Sequence, residues 1–194
     1  MFTALLDTCT LWPGLRRDFL LSLAVEGLYR PVWSSVILAE LQWHEARKLT
    51  TRGTDPTEAA ERAAQLVRQM GLAFGDAAVI GWEGLEGSFG LPDPDDEHVL
   101  AAALVGGAGA IVTDNIRDFP ASCLPVGIEV LTPAAFAVNT VSVSPPVALA
   151  AIGKIAARSG RHGPPWTTGM VLEILTDRYG LGEAVAHLRE ALES

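Results

Sequence analysis

FTALLDT, residues 2–8, is the stretch of sequence that decides the fold class. Its apolar residues run together, as they do in a parallel strand that is covered on both faces. Asp7 then lies at the carboxyl end of this strand, and ligands of open parallel sheets gather outside the carboxyl ends of the strands. The stretch therefore predicts the first strand of an α/β fold, with an acid at the ligand edge of the sheet.

Short strands and helices alternate along the following residues. Apolar residues that recur every three or four positions predict helices over 12–27, 34–49, 54–71 and 95–107. Short apolar runs predict further strands at 30–33, 77–82, 110–113 and 128–131. This alternation indicates a parallel sheet with helices on both faces.

The last part of the chain has a different pattern. The uncharged span 130–153 is interpreted as a strand end followed by a linker, because prolines, serines and an asparagine interrupt it. Beyond it the pattern is purely helical, with helices predicted at 147–158, 167–178 and 182–192. We expect an α/β domain over residues 1–140 and a small all-helical C-terminal extension over residues 145–194.

The composition restricts the class of protein. With 194 residues, 49% of them hydrophobic, the chain is long enough for one α/β domain with a substantial core. Its 23 acids outnumber its 14 lysines and arginines, and the net charge of −9 argues against a protein that coats nucleic acid through its overall field. A nucleic-acid partner would therefore require local cations or a bound metal.

Several features of the sequence predict a cytoplasmic location. Cys9 and Cys123 lie far apart and lack C-x-x-C spacing, so we expect both to be reduced and buried. The first residues lack the basic start of a secretory signal and soon reach Asp7. The uncharged run 99–112 is shorter than the roughly 20 residues that span a bilayer. We expect no signal peptide and no contact with a membrane.

LPDPDDEHVLAAALV, residues 91–105, places four carboxylates directly ahead of an alanine-rich run. One interpretation is local: Asp93 caps a helix, Pro94 takes its first position, and the next acids lie where the helix dipole favours anions. The other interpretation assigns Asp96 to a functional site. Asp96 lies on the same side as the buried stripe of the helix, so it would face the edge of the sheet.

Two further acids are expected at the same edge. Asp114 follows the strand predicted at 110–113, and Glu40 lies within an apolar helix, where glutamate is rarely buried without a partner. Together with Asp7 and Asp96 they would form a group of acids that cannot all stay ionised without a cation between them. Mg²⁺, with Mn²⁺ as the alternative, is the natural counter-ion for carboxylate and water oxygens.

Four motifs, in this order, resemble the PIN-domain family, in particular the VapC-type ribonuclease toxins of bacterial toxin–antitoxin pairs. The motifs are LLDT, VILAEL, DPDDEHVLAAAL and IVTDNIRDF, which agree in order and spacing over the first two thirds of the chain. The resemblance implies a PIN-like three-layer fold, in which a central parallel sheet is flanked by helices. The helical C-terminal segment lies outside this common fold and resembles the extension of one VapC subgroup.

Carried over residue by residue, the resemblance assigns Asp7, Glu40 and Asp96 to the three main acids of the family. The fourth position stays open among three residues of TDNIRDF: Asp114 and Asp118 are favoured as acids and Asn115 as a polar support.

The resemblance further implies metal-dependent cleavage of a phosphodiester in RNA. Asp7 and Asp96, with Asp114 as a further candidate ligand, would hold Mg²⁺, and Glu40 would orient or deprotonate the attacking water. Thr113 is a candidate hydrogen-bond donor to a carboxylate or a water. The expected partners are the RNA substrate and a cognate antitoxin protein that covers the acid site, while a homodimer is left open.

Other polar and aromatic residues admit two interpretations each. Two groups of cations are candidates for contacts with RNA phosphates, or else belong to solvated helix faces. They are Lys154, Arg158 and Arg161 in a stretch without acids, and Arg47, Lys48 and Arg52 at the end of a helix. His98 is more typical of a packed or capping residue than of a general base. The five tryptophans are assigned to the core or to a partner-facing surface rather than to base stacking.

Two other kinds of function are alternatives to the nuclease. A haloacid-dehalogenase-like phosphatase needs D-x-D after its first strand, where this chain has Asp7-Thr8-Cys9, and a response-regulator receiver needs a lysine that the sequence does not supply after a late strand. The second alternative is a catalytically inactive PIN-like binding module, whose acid pocket accepts an arginine of a protein partner. Asn115, at a position where an acid is expected, is the feature that favours this alternative.

Overall fold

The computed structural model describes residues 1–160 and 164–193. Its strands are β1 (Thr3–Leu6), β2 (Arg30–Val32), β3 (Ala110–Val112) and β4 (Glu129–Leu131). Its α-helices are α1 (Thr8–Leu11), α2 (Gly14–Val25), α3 (Ser35–Thr51), α4 (Pro56–Ala73), α5 (Glu97–Val105), α6 (Pro133–Val143), α7 (Pro145–Arg158), α8 (Thr168–Tyr179) and α9 (Gly182–Glu193). A short 3-10 helix, Pro94–Asp96, leads into α5.

The strands form one sheet in the order β2-β1-β3-β4. β1 and β3 pair in parallel at its centre, with Leu5 opposite Ile111 and Leu6 opposite Val112. All four of these side chains are fully buried, because a central parallel strand is covered on both faces. The predicted α/β fold, with a parallel sheet flanked by helices, is confirmed. The pairing also brings the carboxyl ends of β1 and β3 together.

Most of the predicted helices are present, with ends that differ by a few residues. Side chains cap several of them: Ser34 Oγ accepts from the Ile37 N–H at 3.1 Å, and Asp55 Oδ1 accepts from the Thr57 N–H at 2.9 Å. These caps satisfy backbone N–H groups that have no partner inside the first turn. The start of α3, which carries Glu40, is therefore set by its own sequence.

The chain divides into two compact units. One comprises Thr3–Trp12 and Pro31–Val130, and the other comprises Met1–Phe2, Pro13–Arg30 and Leu131–Ser194. α2 is thus grouped with the C-terminal helices, and not with the sheet that precedes and follows it in sequence. The division into a domain at 1–140 and an extension at 145–194 stays a prediction.

The unit that contains α2 and α6 to α9 has its own apolar contacts. Tyr29 packs edge-to-face on Phe136, with ring centroids 4.8 Å apart, and its hydroxyl donates to the Leu20 carbonyl at 3.0 Å. The side chains of Ile152 and Leu175 are buried here as well. Burial of these apolar groups holds the helices of this unit together.

Three sequence-based expectations are wrong. The segment 77–82 is not a strand, since it makes only an isolated bridge from Ala78 to Trp33 before Gly81 turns the chain at φ 78°. The span 130–153 is not a linker, because it contains α6, which Thr132 caps. Pro133 is compatible with this helix because it lies in the first turn, where a backbone N–H has no partner within the helix. Cys9 and Cys123 are free thiols, but each is partly exposed rather than buried.

Among the described residues, no single helix is long and apolar enough to cross a membrane. In the same part of the chain, one pair of helices, α6 and α7, reaches that length and apolarity together, but with a bend of 115° between them.

Candidate active site

Asp7 lies immediately after β1 and is held on both carboxylate oxygens. Its Oδ1 accepts a hydrogen bond of 2.6 Å from the Thr8 N–H and so caps α1. Its Oδ2 accepts from Thr113 Oγ1 at 2.6 Å and from Cys9 Sγ at 3.1 Å. The carboxylate is only 5% exposed, and a buried anion with this many donors keeps a single orientation.

Glu40 reaches the same region from α3. Thr8 Oγ1 donates to Glu40 Oε2, and His98 Nε2 lies 3.7 Å from Glu40 Oε1. The His98 imidazole and the Thr8 hydroxyl lower the pKa of Glu40 below its usual range, against the effect of partial burial. Glu40 is therefore ionised at neutral pH, while its side chain, 43% exposed, still meets solvent.

Asp96 lies at the start of α5 and receives no capping hydrogen bond from that helix. Burial of its carboxyl, followed by the charges of Asp7, Asp118 and Asp93, raises its pKa to about 6. Burial is the largest cause of this shift, and the nearby carboxylates add to it because like charges disfavour ionisation. Asp96 and Asp7 thus interact, although 89 positions separate them in the sequence.

The three acids line one cavity of about 830 Å³. Thr8, Cys9 and Asn115 contribute to its polar lining, and Trp12, Ala39, Trp43 and His44 complete its wall. β1, α3 and the start of α5 supply the acids, so three separate parts of the chain meet here. Of the four acids predicted to converge, Asp7, Glu40 and Asp96 line this cavity, whereas Asp114 is not among its lining residues.

The three remaining candidates lie in the segment after β3. Asn115 lines the cavity, and its N–H donates to Thr113 Oγ1 at 3.0 Å. Asp118 is half-buried, and its charge acts on Asp96. Asp114 is exposed, and its N–H donates to Cys9 Sγ at 3.1 Å. Of the three candidates, Asn115 lines the cavity and Asp118 acts on Asp96 through its charge.

The other acids of residues 93–97 have structural contacts. Asp93 Oδ1 caps the short 3-10 helix by accepting from the Asp95 N–H at 3.0 Å, as the local interpretation predicted. Glu97 is only 3% exposed and accepts backbone N–H bonds from Gly87 and Phe89 at 3.1 Å and from Leu91 at 2.9 Å. Burial opposes its ionisation, but these N–H groups lower its pKa. Residues 93–97 thus contain one carboxylate that anchors the preceding loop, Glu97, and one that lines the cavity, Asp96.

Cys9 was not among the predicted site residues, yet its thiol lies between Asp7 and Thr113. Its Sγ is 3.2 Å from Thr113 Oγ1 and donates to Asp7 Oδ2. Burial and the neighbouring Asp7 carboxylate raise the pKa of this thiol to about 12. Cys9 is therefore a neutral hydrogen-bond donor to Asp7, and not a nucleophilic thiolate.

His98, Trp12 and Trp43 have environments that the sequence did not fully predict. His98 is packed, as expected, and its Nδ1 lies 3.3 Å from Ser34 Oγ, but its other nitrogen faces Glu40. Trp12 and Trp43 are 41% and 55% exposed at the wall of the acid cavity, so they do not belong to the core, and their assignment to a partner-facing surface stays a prediction. No periodicity distinguishes these two from Trp33, which is fully buried.

The basic group near the C-terminus is engaged in ion pairs. Lys154 Nζ lies 2.6 Å from Glu26 Oε1, and an Arg158 guanidinium nitrogen lies 3.0 Å from Asp18 Oδ1. All four residues belong to the same compact unit. Arg161, the third member of this group, lies outside the described residues.

The donor chemistry of the cavity fits a divalent cation. Carboxylate oxygens are the ligands that Mg²⁺ and Mn²⁺ prefer, and a cation would relieve the repulsion between carboxylates that, together with the larger effect of burial, raises the pKa of Asp96. Residues 1–160 and 164–193 contain no group of three or more His, Cys, Asp or Glu side chains that is already arranged as a metal site. Asp7 and Asp96 both line this cavity, and the charge of Asp7 acts on Asp96.

Comparison with known proteins identifies the family. The family model described as PIN domain matches residues 3–117, which is more than half of the chain and includes all three acids of the cavity. No curated protein and no solved structure matches the chain. With its fold, its acid cavity and this match in agreement, the chain belongs to the PIN-domain family.

Proposed function

We propose that this protein is a metal-dependent endoribonuclease, the toxin component of a VapC-type toxin–antitoxin pair that acts in the cytoplasm. The observation that carries the proposal is the convergence of Asp7, Glu40 and Asp96 on one open cavity. Members of the PIN family are generally metal-dependent nucleases, which supports a hydrolase of phosphodiester bonds.

The residues of the cavity have distinct roles in this proposal. Asp7 and Asp96 would hold Mg²⁺ or Mn²⁺, with Asp118 close enough to add its charge. A bound divalent ion supplies Lewis-acid stabilisation of the phosphate and a water of lowered pKa. Thr113, Cys9 and the Thr8 N–H keep the Asp7 carboxylate in one orientation, so little reorganisation is needed when substrate binds.

Glu40 is the base in the proposed hydrolysis. Its lowered pKa keeps it ionised at neutral pH, so it is ready to accept a hydrogen bond, and then a proton, from the attacking water. Thr8 and His98 fix the carboxylate from one side, while its exposed portion faces solvent. Asn115 lines the same cavity and would orient the phosphate or a water through its amide.

The partner in this proposal is a small antitoxin protein that covers the cavity. A group of acids in a concave site attracts a guanidinium, which pairs with carboxylates through two hydrogen bonds. Binding of an arginine there would compete with the divalent ion and stop cleavage.

The test is cleavage of a structured RNA pool by the purified protein, with Mg²⁺ or Mn²⁺ and with EDTA. Asp7→Asn and Asp96→Asn are each expected to lower the rate by at least about 100-fold, because each removes a charged ligand. Asp95→Asn is the matched control, since Asp95 is exposed in the same acid-rich stretch. It should cleave at the wild-type rate.

Either of two results would contradict the proposal. RNA that stays intact with every metal, although the protein is folded and free of partner, would favour the inactive module that accepts an arginine. Cleavage that survives EDTA or the loss of Asp7 would place the activity in a contaminant or at another site.

A further inference from the structure

A second cavity, of about 350 Å³, adjoins the acid cavity along α3. Its lining residues are Trp12, His44, Arg47, Lys48, Thr51 and Arg52. Trp12 and His44 also line the acid cavity, so the two spaces share a wall. Glu40 and Arg47 lie on the same helix, about 10 Å apart along its axis at 1.5 Å per residue. A polymeric ligand bound at the three acids can therefore extend into the second cavity.

The second cavity is cationic in a protein with a net charge of −9. Lys48 is paired with Glu45, but within the described chain neither Arg47 nor Arg52 forms an ion pair. Both arginines are exposed. The Arg47 guanidinium lies 5.2 Å from the centroid of the Trp43 ring, and a cation–π contact of this kind holds the side chain over the aromatic face.

Two aromatic residues, Trp12 and His44, form the shared wall, with their ring centroids 6.0 Å apart. Trp43, which lines the acid cavity, meets His44 edge-to-face at 4.8 Å. Both tryptophans are more than one third exposed, whereas Trp33 in the same unit is fully buried. Exposed aromatic faces beside arginines form the combination that binds single-stranded nucleic acid, because bases stack on the rings and cations hold the phosphates.

We infer that the cavity lined by Trp12, Arg47 and Arg52 is a subsite for single-stranded nucleic acid, which takes a backbone phosphate next to the one in the acid cavity and stacks a base on Trp12. This inference rests on the proposed nuclease function and specifies how its substrate is held. The two arginines compensate locally for the acids, which would otherwise repel the strand.

The test measures binding apart from cleavage. Fluorescence anisotropy of a labelled single-stranded RNA of about 12 nucleotides is followed against salt concentration, with the full chain and EDTA so that metal-dependent cleavage cannot occur. The double variant Arg47→Ala/Arg52→Ala should bind about tenfold more weakly, and its salt slope should fall by about 0.7, which is the contribution of one phosphate contact on a single strand. Trp12→Ala should weaken binding about tenfold with an unchanged salt slope.

The matched control is Arg62→Ala/Arg68→Ala. Both residues are exposed on the neighbouring helix α4, so this variant makes the same change in net charge away from the cavity. Equal affinities and equal salt slopes for the two double variants would overturn the inference. Binding of poly-glutamate, but not of RNA, through Arg47 and Arg52 would assign the cavity to an acidic protein and overturn it as well.

The binding and cleavage measurements also test the subsite and the proposed nuclease function independently of each other. If RNA binds through Arg47 and Arg52 but is never cleaved with metal, the nuclease proposal fails and the subsite stands. If cleavage needs Asp7 and Asp96 while the two double variants bind RNA alike, the subsite fails and the nuclease stands.

Discussion

Thr113 and Asp7 are joined across the ends of two paired strands: Thr113 Oγ1 donates a hydrogen bond of 2.6 Å to Asp7 Oδ2. The contact follows from the register that sets Leu6 opposite Val112, because the next residue on each strand then meets its counterpart. Thr113 is fully buried, so water cannot replace its hydroxyl. Thr113 therefore holds the Asp7 carboxylate in one orientation.

Thr113→Val removes this hydrogen bond at nearly constant volume. We expect a loss of about 1–2 kcal/mol in the free energy of unfolding, since the Asp7 oxygen loses a donor. Cleavage of RNA should fall about tenfold, because the carboxylate is no longer held in one orientation. Thr10→Val is the matched control: the buried Thr10 hydroxyl donates to the Val112 carbonyl at 2.8 Å and not to an acid. A Thr113→Val protein that cleaves as fast as Thr10→Val would contradict this role.

The stability of the metal-free protein should depend on pH through Asp96, whose pKa is raised to about 6. A carboxyl with a higher pKa in the folded than in the unfolded chain stabilises the fold while it is protonated, and this contribution is lost as pH rises through the folded pKa. In EDTA, the thermal midpoint of the wild type should therefore fall relative to that of Asp96→Asn between about pH 4 and about pH 7. A difference that stays constant over this range would refute the assignment.

If Asp96 is one of its ligands, Mg²⁺ should reverse the loss of thermal stability that is expected in EDTA as the pH rises. Protons compete with the ion for the carboxylate, so the rise in thermal midpoint on adding Mg²⁺ should be larger at about pH 7 than at about pH 5. Asp96→Asn should abolish most of this rise at both values. An equal rise in the variant would place the ion elsewhere.

Glu97→Gln should destabilise the fold without touching the acid cavity directly. The buried carboxylate accepts from the N–H groups of Gly87, Phe89 and Leu91, and replacing it by a neutral amide weakens these charge-assisted bonds. We expect a loss of about 2 kcal/mol in urea unfolding. Glu86→Gln, at an exposed position just before this loop, is the control and should change stability by less than about 0.5 kcal/mol. Similar losses in the two variants would exclude the anchoring role.

Gly106→Ala tests the packing at the end of α5. A Cβ at this position would lie 2.8 Å from Val79 Cγ2 and 3.0 Å from the Ala102 carbonyl oxygen, which is too close without movement. We expect a loss of about 1–3 kcal/mol from this overpacking. Gly71→Ala in α4 is the opposite case: a Cβ there meets nothing within 4 Å, and the higher helix propensity of alanine should stabilise by about 0.5–1 kcal/mol. Comparable effects of the two changes in denaturant unfolding would show that α5 tolerates the added atom.

The sequence by itself determined the fold class and predicted the three acids that line the cavity. Unbroken apolar runs at β1 and β3, with helical spacing between them, are local patterns whose burial requires a parallel sheet. Asp7 follows directly from this reasoning, because a residue after a central strand must lie at its carboxyl end. The helices with strong caps, such as α3 after Ser34, were also predictable, since a cap acts within its own turn.

Only the tertiary structure decided which polar and aromatic residues meet. The four acids of residues 93–97 look alike in sequence, but Glu97 is enclosed by the N–H groups of its own preceding loop, while Asp96 lines the cavity together with Asp7. Trp12 and Trp43 were indistinguishable by periodicity from the buried Trp33, because exposure depends on what the rest of the chain covers. Local patterns fix the helices and strands, whereas burial and electrostatic environment are properties of distant segments brought into contact.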